Sequence, residues 1–226
     1  MTIIAIDGPS GVGKSSVSRE VARRLGYAYL DTGAMYRAMA WLALERGVSD
    51  PHDVVELVRG AYLEISTDPD VSSVEIDGHD VTEAIREERV STSVVLVSGN
   101  QEARAELIEQ QQDLIGAYAE PGIVAEGRDI TTVVAPQAEV RVLMTAREEV
   151  RLARRAKELH GEADEAALAA TRAQVIDRDK RDSETTSFLT AADGVHTLDT
   201  SDIDFATAVA AVLELAERAG GTSAAE

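Results

Sequence analysis

The stretch Gly8-Pro9-Ser10-Gly11-Val12-Gly13-Lys14-Ser15 constrains this chain more than any other. It fits G-x-x-x-x-G-K-[ST] and lies between an apolar run, Ile3-Ile4-Ala5-Ile6, and a helical pattern from Lys14 to Leu25. Strand, glycine-rich loop and helix in that order make a phosphate site. The glycines let the backbone bend and turn successive N–H groups inward. The helix that follows adds its positive dipole end. Lys14 supplies a cation for β- and γ-phosphates, and the Ser15 hydroxyl suits Mg²⁺, which prefers oxygen ligands. The chain is expected to bind a nucleoside triphosphate.

At 226 residues and 44% hydrophobic, the chain has the size and apolar content of one α/β domain. It has no apolar run of about 18 residues, so no membrane span is expected. The start enters a strand without a basic leader, and cysteine is absent, which excludes disulfides and thiolate metal sites. A cytoplasmic enzyme fits these features. The net charge of −19 argues against a nucleic-acid partner. Nucleotide binding therefore needs basic residues gathered locally. Lysine occurs only at 14, 157 and 180, so arginine carries the cationic work, and guanidinium is the better fork for phosphate oxygens.

Runs at 27–30, 123–125 and 140–144 read as further short strands, with Thr197-Leu198-Asp199 as the last. Helical patterns cover 33–46, 50–60, 102–118, 147–159 and 203–218, with 82–97 helical or broken and a highly charged helical segment over 162–182. Tyr62–Ile65, Val74–Ile76 and Asp80–Thr82 alternate as half-exposed strands do, with Asp77-Gly78 as a hairpin turn. Residues 220–226 read as a disordered tail. The expected fold is α/β: a five-stranded parallel sheet flanked by helices, with a small antiparallel insertion.

Ligands in such folds bind beyond the carboxyl ends of the strands. Beside the phosphate loop, two strand ends carry polar clusters: Asp31-Thr32-Gly33 and Glu126-Gly127-Arg128-Asp129. Asp31-Thr32 also suits a helix N-cap, but Tyr36 and Arg37 follow within one turn. Arg147, Arg151, Arg154 and Arg155 share one helix face. Arg178, Lys180 and Arg181 alternate with Asp177, Asp179 and Asp182, a pattern that fits a solvated helix and a phosphate clamp equally.

Three segments resemble the bacterial cytidylate kinases: Ile6–Ser16, Leu30-Asp31-Thr32-Gly33-Ala34-Met35-Tyr36-Arg37, and Glu126-Gly127-Arg128-Asp129. Arg178-Asp179-x-x-Asp182-Ser183 also fits, and the second segment is far more specific than the phosphate loop. The resemblance implies the nucleoside monophosphate kinase fold in one domain over 1–219. The core would be 1–33, 119–156 and 191–219, the acceptor region 34–118, and a helical lid 157–190. It implies ATP and Mg²⁺ as cofactors, CMP or dCMP as acceptor, and a monomer. The loop from Gly8 to Ser16, with Arg154 and Arg155, would hold ATP. Thr32, Tyr36, Arg37, Arg104, Arg128, Asp129 and Asp182 would hold the acceptor, Asp129 reading the cytosine edge. Lys14, Arg128, Arg178 and Arg181 would act on the transferring phosphoryl group.

The chain departs from the family pattern at three places. A serine that touches the base is replaced by Val95. The glycine that follows Gly-Arg-Asp-x is Thr131. A lid arginine is replaced by Thr185. These changes leave two alternatives to a cytidylate kinase: a related kinase for a modified pyrimidine monophosphate, or a nucleotide-binding regulator without turnover.

Overall fold

The computed structural model describes residues 2–161, Asp164, Leu168, Thr171, Arg172 and 189–222. Five parallel strands form the main sheet: β1 (Ile3–Asp7), β2 (Ala28–Asp31), β6 (Ile123–Gly127), β7 (Val140–Thr145) and β8 (His196–Asp199). Their order is β2-β6-β1-β7-β8, so the phosphate-loop strand lies in the middle. In register, Asp7 lies opposite Gly127, and Asp31 lies opposite Glu126. Both polar strand ends are thereby brought alongside the phosphate loop.

Alternation along β1 assigns its side chains to two cores. Ile4 and Ile6, with Val124, Val142 and Met144, pack against Val17 and Val21 of α1 (Lys14–Leu25) and Val209 and Val212 of α8 (Phe205–Thr222). On the other face, Ala5, Ile123 and Ala125 meet Met35, Ala38 and Met39 of α2 (Thr32–Glu45) and Leu107 of α6 (Gln101–Ala117). Helix α2 starts where it does because Asp31 caps it, accepting from the Ala34 N–H at 2.9 Å. The α3 helix (Pro51–Gly60) has Asp50 as its cap, with Pro51 at the first turn as its sequence predicts.

The insertion is a three-stranded antiparallel sheet of β3 (Leu63–Ile65), β4 (Val74–Ile76) and β5 (His79–Asp80). Asp77 and Gly78 both have positive φ, 50° and 78°, as a two-residue hairpin loop requires. The third strand is shorter than its alternation suggests. The Thr82 N–H turns back to the Asp80 carboxylate at 2.9 Å, and the Thr82 hydroxyl accepts from Val74 N–H at 3.0 Å. The insertion covers the outer edge of β2: the Tyr29 N–H donates to Thr67 O at 2.8 Å, and Arg23 of α1 pairs with Asp70. An edge strand is thus closed by the chain's own loop.

Residues 82–98 form a broken run: a 3₁₀ turn over Ala84–Arg86, then α4 (Glu88–Ser93) and α5 (Val95–Ser98). After β6 the chain makes a π-helical turn, Ile130–Val134, and later α7 (Glu148–His160). The last helix continues to Thr222, past the tail start expected at Gly220, because its apolar face at Val209, Val212 and Ala216 carries it along the core. No helix among the described residues is long and apolar enough to cross a membrane. Apart from Asp164, Leu168, Thr171 and Arg172, the charged segment 162–182, and with it Arg178, Arg181 and Asp182, lies outside the described residues, as does Thr185.

Candidate active site

The carboxyl ends of β1, β2 and β6 open onto one cleft of about 450 Å³. Its lining holds six cations, Lys14, Arg37, Arg86, Arg104, Arg128 and Arg155, against three carboxylates, Asp31, Glu126 and Asp129. In a chain of net charge −19, this is the local gathering of basic groups that a polyphosphate needs.

The phosphate loop forms one wall, with Pro9, Ser10, Gly11, Gly13, Lys14, Ser15 and Ser16 lining the cleft. Gly8 and Val12 do not line it. Val12 is buried in the core. Gly8 has φ 149°, and a Cβ there would meet Met144 O at 2.2 Å, so only glycine lets the loop leave β1 beside β7. Burial pushes the Lys14 ammonium down to about 8, with Arg128 adding to the effect and Glu126 and Asp31 partly offsetting it. Lys14 Nζ is 4.0 Å from Glu126 Oε2.

Glu126 is buried and accepts from the Tyr29 hydroxyl. Burial raises its carboxyl above the ordinary range, Asp31 adds to the rise, and Lys14, Tyr29 and the Ser15 hydroxyl oppose it. Sequence reasoning passed over Glu126 as a site residue. Its signal was an acid at the end of a buried strand, directly before Gly127-Arg128-Asp129.

The opposite wall gathers the acceptor-side residues. The Thr32 hydroxyl donates to Glu126 O at 2.8 Å. Arg37 pairs with Asp31 at 3.0 Å. Burial raises the Asp31 carboxyl, but Arg37, the Ala34 N–H and Lys14 outweigh it and hold the group below its usual value. Arg104 of α6 forms an ion pair with Asp129, joining the far helix to the β6 loop. Burial, followed by the Asp129 charge, pushes the Tyr36 phenol up to about 12, so it stays protonated as a donor. Arg86, Ser91, Val94 and Ser98 complete this end. Val95, which stands at the family's base-touching position, is 48% exposed and lies outside the lining.

Two predicted positions differ in what they do. Arg155 lines the cleft, whereas Arg154 turns away from it. The Arg154 guanidinium donates to Thr200 O at 2.7 Å and to Thr200 Oγ1 at 3.0 Å. The Thr200 hydroxyl in turn reaches Val12 O at 3.1 Å, and Arg151 donates to Ser10 O at 3.1 Å. The arginine face of α7 therefore braces the phosphate loop from behind, a role its spacing alone does not reveal. Thr131 is buried, and its hydroxyl donates to Asp7.

A family model described as cytidylate kinase matches residues 4–218. A cytidylate kinase of Streptomyces avermitilis is 42% identical over 95% of this chain and 92% of that protein. One from Cutibacterium acnes is also 42% identical, over 94% and 95%. Among solved structures, an uncharacterized protein from Eubacterium ventriosum shares the fold, with a TM-score of 0.53 at 11% identity over 96% of this chain and 98% of that one. On the extent of the family match, this chain belongs to the cytidylate kinase family.

Proposed function

We propose that this chain transfers the γ-phosphoryl group of ATP to CMP or dCMP, giving CDP or dCDP. One observation carries the reading: a second set of cations, Arg37 and Arg104, faces the phosphate loop and Lys14 across a single cleft. A nucleotide-binding regulator has no need of a second phosphate site. The relatives named cytidylate kinase support the identity of the acceptor.

Transfer between two phosphates crowds negative charge, so catalysis is mainly positioning and charge neutralisation. The loop N–H groups and Lys14 hold the β- and γ-phosphates. Arg37 and Arg104 hold the acceptor phosphate, with Thr32 and Tyr36 beside them, and Arg128 lines the same cleft. Asp129 offers a carboxylate to the exocyclic amine of cytosine, where uracil presents a carbonyl. No strong base is required, because a phosphate monoester is largely ionised at neutral pH, with a second pKa of about 6. By resemblance, Arg178 and Arg181 would neutralise the transferring group and Asp182 would hold the acceptor.

Ser15 lines the cleft beside Glu126, whose carboxyl its hydroxyl helps to lower. No cluster of three or more metal-binding side chains exists among the described residues. That donor set fits Mg²⁺, which keeps most of its water and phosphate ligands and takes few from protein. Ser15 would hold the ion with Glu126 behind it, and the ion would supply charge neutralisation at the phosphates.

Arg37→Ala tests the assignment. Loss of a charge-assisted contact of about 1.5–3 kcal/mol predicts a fall of about 10- to 150-fold in kcat/KM for CMP, with ATP binding unchanged. Equal loss of ATP binding would overturn the assignment of the two sides.

A further inference from the structure

Arg86 is a cleft cation that neither the sequence motifs nor the catalytic account uses. It ends the 3₁₀ turn Ala84–Arg86 in the insertion, and it is exposed. Its neighbour Ile85 is 2% exposed and packs into the same core as Met35 and Ala38 of α2. The turn is therefore pinned against the helix that carries Arg37. Arg86 and Arg37 both line the main cleft, and both line a smaller crevice behind it.

Their surroundings differ. Arg37 is taken by Asp31, and Arg104 by Asp129. No hydrogen bond or ion pair to the Arg86 guanidinium occurs among the described residues, and nearby Glu87 is taken by Arg89. An exposed guanidinium that has no hydrogen-bond or ion-pair partner among the described residues, and that lines a cleft built for phosphates, is an available bidentate donor.

We infer that Arg86 binds the phosphate of the acceptor nucleotide, as a second fork beside Arg37, and so ties the insertion to the occupied site. This rests on the monophosphate kinase reading above. A phosphate contact carries no information about the base, so the contribution of Arg86 is the same for every pyrimidine monophosphate the protein accepts.

The exposed side chain makes a clean test, since its removal breaks no hydrogen bond or ion pair among the described residues. Initial rates with ATP and CMP, dCMP or UMP are measured for the full chain, for Arg86→Ala and for Arg86→Lys, with the thermal midpoint of each. The expected result is a KM about tenfold or more higher in R86A, by the same factor for each acceptor. KM for ATP and the midpoint stay unchanged, and R86K recovers part of the loss. An active wild type beside an R86A with unchanged acceptor KM would overturn this inference alone. Loss confined to the cytosine nucleotides would also overturn it, by making Arg86 a reader of the base. A wild type that turns over none of the three acceptors would overturn both this inference and the reading beneath it.

Discussion

The Thr131 hydroxyl donates to Asp7 Oδ2 at 2.7 Å, and the N–H groups of Thr131 and Ile130 donate to the same carboxylate at 2.8 and 2.9 Å. Asp7 is the last residue of β1, directly before the phosphate loop, and Thr131 follows Arg128 and Asp129 by only a few positions. One buried carboxylate thus fixes the acceptor loop to the strand that carries the donor loop. Burial raises the Asp7 carboxyl, and these three donors pull it back only in part. Thr131→Val removes one donor without changing the side chain's shape. It should cost on the order of 1–3 kcal/mol in denaturant unfolding at neutral pH, and Thr131→Ser should recover most of that.

The brace behind the phosphate loop makes a second prediction. Arg154→Ala and Thr200→Val should each raise KM for ATP several-fold and leave KM for the acceptor unchanged. Both act through the contact of Thr200 with Val12 O, so the double variant should be little worse than R154A alone. Fully additive losses, read from steady-state kinetics, would show that the two residues act separately.

The phosphate loop, the capped start of α2 and the hairpin at Asp77-Gly78 were legible in the sequence because each is written in a few adjacent residues with fixed backbone demands. The turn of Arg154 away from the cleft was not, because its partner Thr200 lies 46 residues away, after the end of another strand. Spacing showed that the α7 arginines share a face, but spacing cannot say what that face meets. The same holds for Glu126, which belongs to the cleft because the strand order sets β6 between β1 and β2, and for Arg86, which reaches it because Ile85 packs its turn into the core of α2. The helical extension to Thr222 ran against the local glycines, since the core contacts of α8 outweigh a cost of about 1 kcal/mol for each glycine.

Lys14 predicts a pH dependence. Burial and Arg128 bring its ammonium down to about 8, so the free enzyme loses this cation as pH rises through that value. The pH profile of kcat/KM for ATP should fall on the alkaline side with an apparent pKa near 8. Unfolding does not explain that fall. Between the lowered folded value and the ordinary lysine value the unfolded chain binds more protons, so this group makes the fold more stable as pH rises. A profile flat to pH 9.5 would contradict the buried, cation-crowded setting of Lys14.

The central claim is that the two cation sets hold a nucleoside triphosphate and a pyrimidine monophosphate together. It is tested most directly by ATP-dependent diphosphate formation with Mg²⁺ against CMP, dCMP, UMP, AMP and GMP. The predicted result is turnover with a strong preference for CMP and dCMP. ATP binding without turnover of any of the five, or a preference for a purine acceptor, would contradict it.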